Sequence, residues 1–139
     1  MEAPAVAAAA GPVLEAAGVA DRCEVVAGDF FAGVPDRADR YLLANVLHDW
    51  DDDRAVAILA ECRKAMAKDG RVLIVERLIP DDPEQALPTL LSDLNMLIVT
   101  GGKERTNAEY GSLLTRAGLT LDRVTPVSFP YGVIEAIHP

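Results

Sequence analysis

The sequence predicts an α/β fold with a mostly parallel sheet, and three observations support this prediction. Apolar runs of strand length alternate with stretches in which apolar residues recur at helical spacing. Arg71 to Arg77 contains four apolar residues in succession, as expected when both faces of a sheet are covered. The last two predicted strands follow one another closely, which favours an antiparallel pair at one edge. A chain of 139 residues is long enough for one domain, which we assign to residues 1–139.

The N-terminal third contains one predicted helical region and two predicted strands. Glu2 to Gly18 is rich in alanine and predicts a helix that Pro12 breaks into two pieces. Arg22 to Ala27 predicts a short strand that leads into the turn Gly28 to Phe31. The apolar run after the next loop predicts a strand from Arg40 to Leu47.

The rest of the chain alternates in the same way. A helix is predicted from Asp52 to Ala67, with Asp51 as its N-cap. The proline-rich stretch Pro80 to Pro88 predicts a loop between the strand Arg71 to Arg77 and the next helix. The remaining predicted elements are a helix at Leu90 to Val99, a helix from Thr106 to Ala117 opened by a capping box with Glu109, and strands at Leu119 to Phe129 and Tyr131 to Ile137.

Composition and charge exclude several classes of partner. The formal net charge is -9 and Lys and Arg form no run longer than a pair, so we expect neither nucleic acid nor an anionic membrane as a partner. Cys23 and Cys62 are far apart and lie in a predicted strand and a predicted helix, which predicts reduced, buried thiols rather than a disulfide framework or a metal pair and favours a cytoplasmic location. No segment reaches the roughly 18 apolar residues of a membrane helix.

His48 is the strongest candidate for chemistry from position alone. It follows the apolar run Tyr41 to Leu47, and ligands of open α/β sheets bind beyond the carboxyl ends of the strands. Three acids follow, Asp51 to Asp53, at the N-terminus of the next predicted helix. Carboxylates are stabilising there because they interact with the positive end of the helix dipole. A Mg²⁺ or Ca²⁺ site is the alternative use of these acids, but no glycine-bearing loop supports it, so we predict no metal.

Five short motifs occur in an order that resembles a known family. The motifs are Gly28 to Phe31, His48 to Trp50, Gly70 to Glu76, Asp93 to Met96 and Gly101 to Thr106. In this order they resemble those of the S-adenosylmethionine-dependent O-methyltransferases of the caffeic acid and hydroxyindole type, including their bacterial polyketide-tailoring relatives. The resemblance implies a Rossmann-like class I methyltransferase sheet.

The resemblance also implies catalytic roles. His48 matches the general base that removes the proton of a substrate hydroxyl, and Glu76 and Glu104 match the two acids that orient this histidine. The chemistry is reasonable, because a phenol of pKa about 10 is protonated at neutral pH and a histidine of pKa about 6.5 can accept its proton. Without the family, a histidine at the end of a strand is more often a helix-capping or packing residue than a base, and the two glutamates could be ordinary surface acids.

Further residues match binding positions of the family. Asp29 and Phe30 match the pair that lies against the adenine of S-adenosylmethionine, although Asp29 alone could cap a turn. Glu2 stands where the family has an aspartate that binds the ribose. Met96 falls near a position that lines the acceptor pocket, and Asp49, beside the base, is a candidate for the same pocket or for the scaffold.

The sequence also departs from the family. The dimerisation domain, the first two strands and the glycine-rich loop of the methyltransferase domain have no counterpart here, so the resemblance implies an N-terminally truncated domain. In the implied strand order 3-2-1-4-5-7-6, the segment Arg22 to Ala27 would lack a neighbour and Arg40 to Leu47 would expose an edge. We therefore expect either a piece of a longer protein or a chain that needs a homo-oligomer or a complementing chain to supply the missing strands, unless the third strand adds directly beside the fourth.

These observations predict an O-methyltransferase fragment that acts on a hydroxyl of a small aromatic or polyketide-like acceptor. Two alternatives stay open at this point. The first is a relative with the same fold that performs hydroxylation or decarboxylation, against which His48 argues. The second is a truncated or split-gene product that serves as a non-catalytic interaction module, which the missing glycine-rich loop favours.

Overall fold

The computed structural model describes residues 4–139 as alternating helices and strands. Short 3-10 turns lie at Ala20–Arg22 and Leu47–Asp49. The longer elements, in chain order, are α1 (Pro4–Ala16), β1 (Arg40–Ala44), α2 (Asp52–Ala65), β2 (Arg71–Arg77), α3 (Pro83–Val99), α4 (Asn107–Arg116), β3 (Thr120–Ser128) and β4 (Tyr131–Ile137).

The four described strands form one sheet in the order β1-β2-β4-β3. β1 and β2 are parallel, whereas β4 is antiparallel to both β2 and β3. The order β1-β2-β4-β3 corresponds to strands 4-5-7-6 of the order implied by the resemblance. It confirms the predicted α/β fold class and the antiparallel pair at one edge of the sheet. The described sheet is mixed rather than mostly parallel, because only one of its three pairings is parallel.

The core lies between this sheet and two helices, α2 and α4. Alternate residues of β2 and β4 are buried, as expected for strands that cover a core on one face. The helical spacing predicted for α2 is confirmed, since its buried residues are Ala55, Ile58, Leu59 and Cys62. The main buried partners on α4 and the strands are Tyr110, Leu113, Leu114, Val72, Ile74, Ile134 and Ala136.

The N-terminal predictions require two corrections. Pro12 does not break the helix, because α1 continues through it between alanine-rich flanks that favour helix on both sides. The segment Arg22 to Ala27 is not a strand, since Arg22 ends a 3-10 turn and Ala27 makes only an isolated bridge. A strand exists only through pairing, and nothing within residues 4–139 offers this segment a ladder.

Two further boundaries differ from the predictions. β1 ends at Ala44 instead of Leu47, because Asn45 adopts a left-handed backbone with φ +52 and turns the chain. The predicted loop Pro80 to Pro88 is wrong, because α3 already begins at Pro83, where the fixed φ of proline suits the first turn of a helix. Asp82 caps this helix by accepting from the Glu84 amide at 3.0 Å.

The outer edge of β1 has no strand beside it among the residues that the structure describes. Leu42 in this strand is 63% exposed. The expected open edge is therefore present, and the rearranged sheet, with the third strand added beside the fourth, does not form. No helix in the described part of the chain is long and apolar enough to span a membrane.

Candidate active site

His48 lies on a short turn just beyond the carboxyl end of β1. The chain turns at Asn45, and Leu47–Asp49 then forms a single 3-10 turn. The Leu47 side chain is fully buried and anchors this turn in the core. His48 therefore stands at the sheet edge where the sequence placed it, on a turn rather than on the strand itself.

The His48 imidazole lies among three carboxylates. Its Nδ1 is 3.4 Å from Glu76 Oε2 and 3.6 Å from Glu104 Oε1, and both glutamate side chains are fully buried. Its Nε2 is 3.7 Å from Oδ1 of Asp49, whose side chain is 40% exposed. The ring thus directs Nδ1 inward and leaves Nε2 on the outer side, where a bound molecule can approach it.

Glu76 is held by the backbone of the same turn. Its Oε1 accepts hydrogen bonds from the amides of Val46 at 3.0 Å and Leu47 at 2.8 Å, which leaves Oε2 for His48. Burial raises the pKa of Glu76 above its usual range, and this effect outweighs the opposing influence of His48 and the two amides. A buried carboxylate of this kind favours a protonated imidazole beside it.

Glu104 reaches the same point from the segment that follows α3. Residues 78 and 105 form an isolated parallel bridge, so this segment runs beside the end of β2. Ser92 donates from its hydroxyl to Glu104 Oε1 at 2.7 Å, and Asp93 accepts from the Glu104 amide at 2.8 Å. No role for Ser92 or Asp93 was predictable from the sequence, although Asp93 opens one of the motifs.

The surroundings of His48 favour its protonated form. Interaction with Glu104 raises the pKa of His48 above its ordinary value, burial opposes this rise, and Glu76 and Asp49 add to it. Glu76 is nearer than Glu104, but both separations exceed an ideal N–H···O distance of about 2.9 Å, so we describe both contacts as charge interactions. The group resembles a histidine ordered by an acid in a general-base system.

The side chains of His48, Glu76 and Glu104 are also of the kinds that coordinate metal ions. One atom each from His48, Glu76 and Glu104 lies within 4.8 Å of the others, close enough to coordinate an ion. A protonated imidazole between two carboxylates accounts for the same arrangement without a metal. The prediction that no metal is required therefore stays a prediction.

The predicted cofactor residues lie on the turn after Ala27. Asp29 accepts from the Phe31 amide at 2.9 Å, as a turn-capping residue does, and its side chain is exposed. Phe30 is half-buried against Phe31 and Trp50, with ring centroids 5.1 and 6.0 Å away. These aromatic contacts connect the turn to Trp50, two residues beyond His48.

The remaining predicted residues are more dispersed. Met96 is half-buried in the last turn of α3, and Glu2 falls outside the described residues. Asp51 is confirmed as the N-cap of α2, accepting from the Arg54 amide at 2.8 Å. Asp52 and Asp53 lie in the first turn of that helix and pair with arginines rather than with each other.

Two neighbours of His48 escaped the sequence analysis. Gly102 packs directly against the backbone of the His48 turn, and a Cβ at this position would lie 2.0 Å from the His48 carbonyl oxygen. Arg105 is fully buried and donates to the carbonyls of Leu47 and Trp50. Both belong to the Gly101 to Thr106 motif, so the motif was visible, but its contact with the histidine turn was not.

Two solved structures of methyltransferases superpose closely on this chain. The structure of the mitomycin 7-O-methyltransferase MmcR superposes with a TM-score of 0.94 at 43% identity, covering 99% of this chain and 40% of that one. The O-methyltransferase NcsB1 from neocarzinostatin biosynthesis, solved with S-adenosylmethionine and 2-hydroxy-5-methyl naphthoic acid, superposes with a TM-score of 0.88 at 38% identity, covering 99% and 40%.

Sequence comparison identifies the family. Residues 1–120 match the O-methyltransferase domain model, and the chain belongs to this family. It is 46% identical over 133 residues to the phenazine O-methyltransferase PhzM of Lysobacter antibioticus, which covers 96% of this chain and 39% of that relative. The chain thus spans about 40% of the length of the proteins that it matches.

Proposed function

We propose that residues 1–139 are part of an S-adenosylmethionine-dependent methyltransferase domain that methylates a hydroxyl of a small aromatic acceptor. The observation that carries this proposal is the His48 imidazole, which lies between two fully buried carboxylates and has Nε2 on its outer side. Two findings on relatives support it. The family is one of O-methyltransferases, and NcsB1 was crystallised with the methyl donor and a naphthoic acid.

The residues of this chain supply proton transfer and orientation. When bound, S-adenosylmethionine supplies an electrophilic methyl group. The reacting form is neutral His48, with its hydrogen on the buried Nδ1 that faces the two glutamates. Its Nε2 accepts the proton of the acceptor hydroxyl as that oxygen forms the new bond to the methyl carbon, and the electron pair of the broken carbon–sulfur bond stays on sulfur. Glu76 and Glu104 stabilise the imidazolium that results, in the way a carboxylate orients a catalytic histidine.

Two groups of residues are proposed to bind the reactants. The exposed carboxylate of Asp29 suits the polar edge of adenine and the Phe30 ring suits its face. Asp49 lies on the Nε2 side of His48 and is proposed to face the acceptor together with Met96. Glu2 remains a proposed ribose ligand on the basis of the resemblance alone.

Calorimetric titration with S-adenosylhomocysteine, followed by a methyl-transfer assay with phenolic acceptors, tests the proposal. His48→Gln should retain cofactor binding and lose about 10²- to 10⁴-fold in transfer rate, the usual contribution of a general base. His138→Gln is the matched control, because His138 is the other histidine and lies at the C-terminus. Equal transfer rates for the two variants would contradict the role of His48.

A second candidate function is that of an interaction module that acquires activity only with another chain. One observation favours it: the outer edge of β1 has no strand beside it within residues 4–139. We propose either a homo-oligomer or a complementing chain at this edge. Size-exclusion chromatography with light scattering distinguishes them, since a monomer that binds no cofactor would require a complementing chain.

A cytoplasmic location is part of the same proposal. Cys62 is buried as predicted, whereas Cys23 is exposed because the strand predicted to bury it does not form, and both are free thiols. Free thiols of this kind are typical of a reducing compartment. Fractionation of cells that express the chain would test the location.

A further inference from the structure

Arg105 is a buried arginine whose donors converge on the turn that carries His48. Its side chain is 0% exposed. Nη1 donates to the Leu47 carbonyl at 2.9 Å, and Nη2 donates to the Trp50 carbonyl at 2.8 Å. Nε and Nη2 also donate to Asp52 Oδ1, at 3.0 and 2.9 Å. The guanidinium therefore spans the turn from the residue before His48 to the first turn of α2.

The turn is also held from other sides. The Lys103 amide donates to the His48 carbonyl at 2.9 Å, and Glu76 Oε1 accepts from the Leu47 amide at 2.8 Å. These contacts place the backbone of His48 between the end of β2 and the segment 103–105. Arg105 is the member of this set that contacts both ends of the turn.

The chemistry of the guanidinium suits this task. A buried cation needs partners for its donors. Nη1 also donates to the Lys103 carbonyl at 3.3 Å, so three of the five bonds go to main-chain carbonyls and two to the Asp52 carboxylate. The planar fork of arginine can bridge two carbonyls at once, which the single ammonium group of lysine cannot do in the same geometry. Charge alone would not require this arrangement.

We propose that Arg105 is a positioning residue that holds the Leu47 to Trp50 turn so that the His48 imidazole stays between Glu76 and Glu104. This proposal rests on the proposed function only where it predicts an effect of Arg105 on the rate of methyl transfer. The position of the imidazole is a property of the folded chain and can be measured without turnover.

The test is an NMR titration of the two histidines of the 139-residue chain, with His138→Gln used for assignment. Arg105→Lys retains the charge and removes the fork. The pKa of His48 should fall toward its ordinary value of 6.5 as the ring leaves the carboxylates, while His138 is unchanged. Arg116→Lys is the matched control, because Arg116 pairs with Asp53 at the surface and should leave both titrations unaltered.

Asp52→Asn is a second test that does not remove the buried arginine. This substitution removes the negative charge that pairs with the Arg105 guanidinium at the half-exposed Asp52 side chain. The pKa of His48 should therefore fall as in Arg105→Lys, but by less. A folded Arg105→Lys chain with an unaltered His48 titration would overturn the proposal. If Arg105→Lys does not fold, an unaltered titration in Asp52→Asn would overturn it instead.

The outcome is separable from that of the proposed function. A His48 titration that shifts in a chain without transfer activity supports the positioning role and counts against the methyltransferase. In a preparation with activity, Arg105→Lys should lower kcat and leave the KM for the methyl donor unchanged. A higher KM with an unchanged kcat would assign Arg105 to binding instead and would overturn the inference.

Discussion

Replacing Gly102 with alanine tests how tightly the His48 turn is packed. An alanine Cβ would lie 2.0 Å from the His48 carbonyl oxygen, 2.6 Å from the Asp49 carbonyl carbon and 2.8 Å from the Trp50 amide nitrogen. All three neighbours are backbone atoms, which cannot rotate away as a flexible side chain can. Contacts below 3.0 Å essentially never occur for a real Cβ, so the turn must shift by at least 1.0 Å.

The destabilisation follows from two terms. Overpacking of a closely packed site costs about 1–3 kcal/mol. A shift of this size also breaks the hydrogen bond from the Lys103 amide to the His48 carbonyl, which is 2.9 Å long and contributes about 1 kcal/mol. Together these terms predict that Gly102→Ala lowers the free energy of unfolding by about 2–4 kcal/mol, within the usual range of total domain stability of about 5–15 kcal/mol.

Gly111→Ala is the control with the opposite expected sign. Gly111 lies in α4, and a Cβ there would meet Leu121 at 3.9 Å, an ordinary contact. Glycine within a helix is about 0.5–1 kcal/mol less favourable than alanine, so this variant should be more stable than the wild type.

Urea unfolding followed by circular dichroism compares the two variants with the wild type. Gly102→Ala should unfold at lower urea concentration with an unchanged m-value, and its His48 resonances should shift. If Gly102→Ala is as stable as Gly111→Ala, the turn can yield without cost, and the close packing described for Gly102 is wrong.

Three further predictions concern buried or capping groups. The pKa of His48 is raised in the folded state, so protonated His48 stabilises the fold fully below pH 6.5, and this stabilisation is lost as pH rises through the folded pKa. The difference in unfolding free energy between the wild type and His48→Gln should therefore fall from pH 6.5 upward, and a difference that does not depend on pH would contradict this. Tyr110 has a fully buried hydroxyl without a hydrogen-bond partner, so Tyr110→Phe should raise thermal stability or leave it unchanged, whereas a loss above about 1 kcal/mol would reveal a bond that the geometry does not show. Thr106 caps α4 in a reciprocal capping box with Glu109, so Thr106→Ala should lower the free energy of unfolding in urea by about 1 kcal/mol. A decrease below about 0.3 kcal/mol would show that the cap contributes little to stability.

The sequence predicted correctly those elements whose pattern lies within a few neighbouring residues. The strands at Arg71 to Arg77 and Tyr131 to Ile137 have the predicted bounds, because their apolar patterns end abruptly at polar or turn residues. The capping box at Thr106 and the N-cap at Asp51 were also predictable, since a cap depends on side chains within three residues. The ordered motifs identified the family, and His48, Glu76 and Glu104, named from that resemblance, do come together.

Tertiary structure decided everything that depends on pairing between distant segments. The sequence of Arg22 to Ala27 suits a strand, yet within the described residues it forms no ladder and only Ala27 makes an isolated bridge. Strand hydrogen bonds are made to another segment, which the local sequence does not specify. The supporting roles of Ser92, Asp93, Gly102 and Arg105 could not be predicted for the same reason, although the last three lie within the motifs. Each acts through a contact across the fold, and only the packing of α3 and the segment 102–105 against the end of β2 brings them to His48.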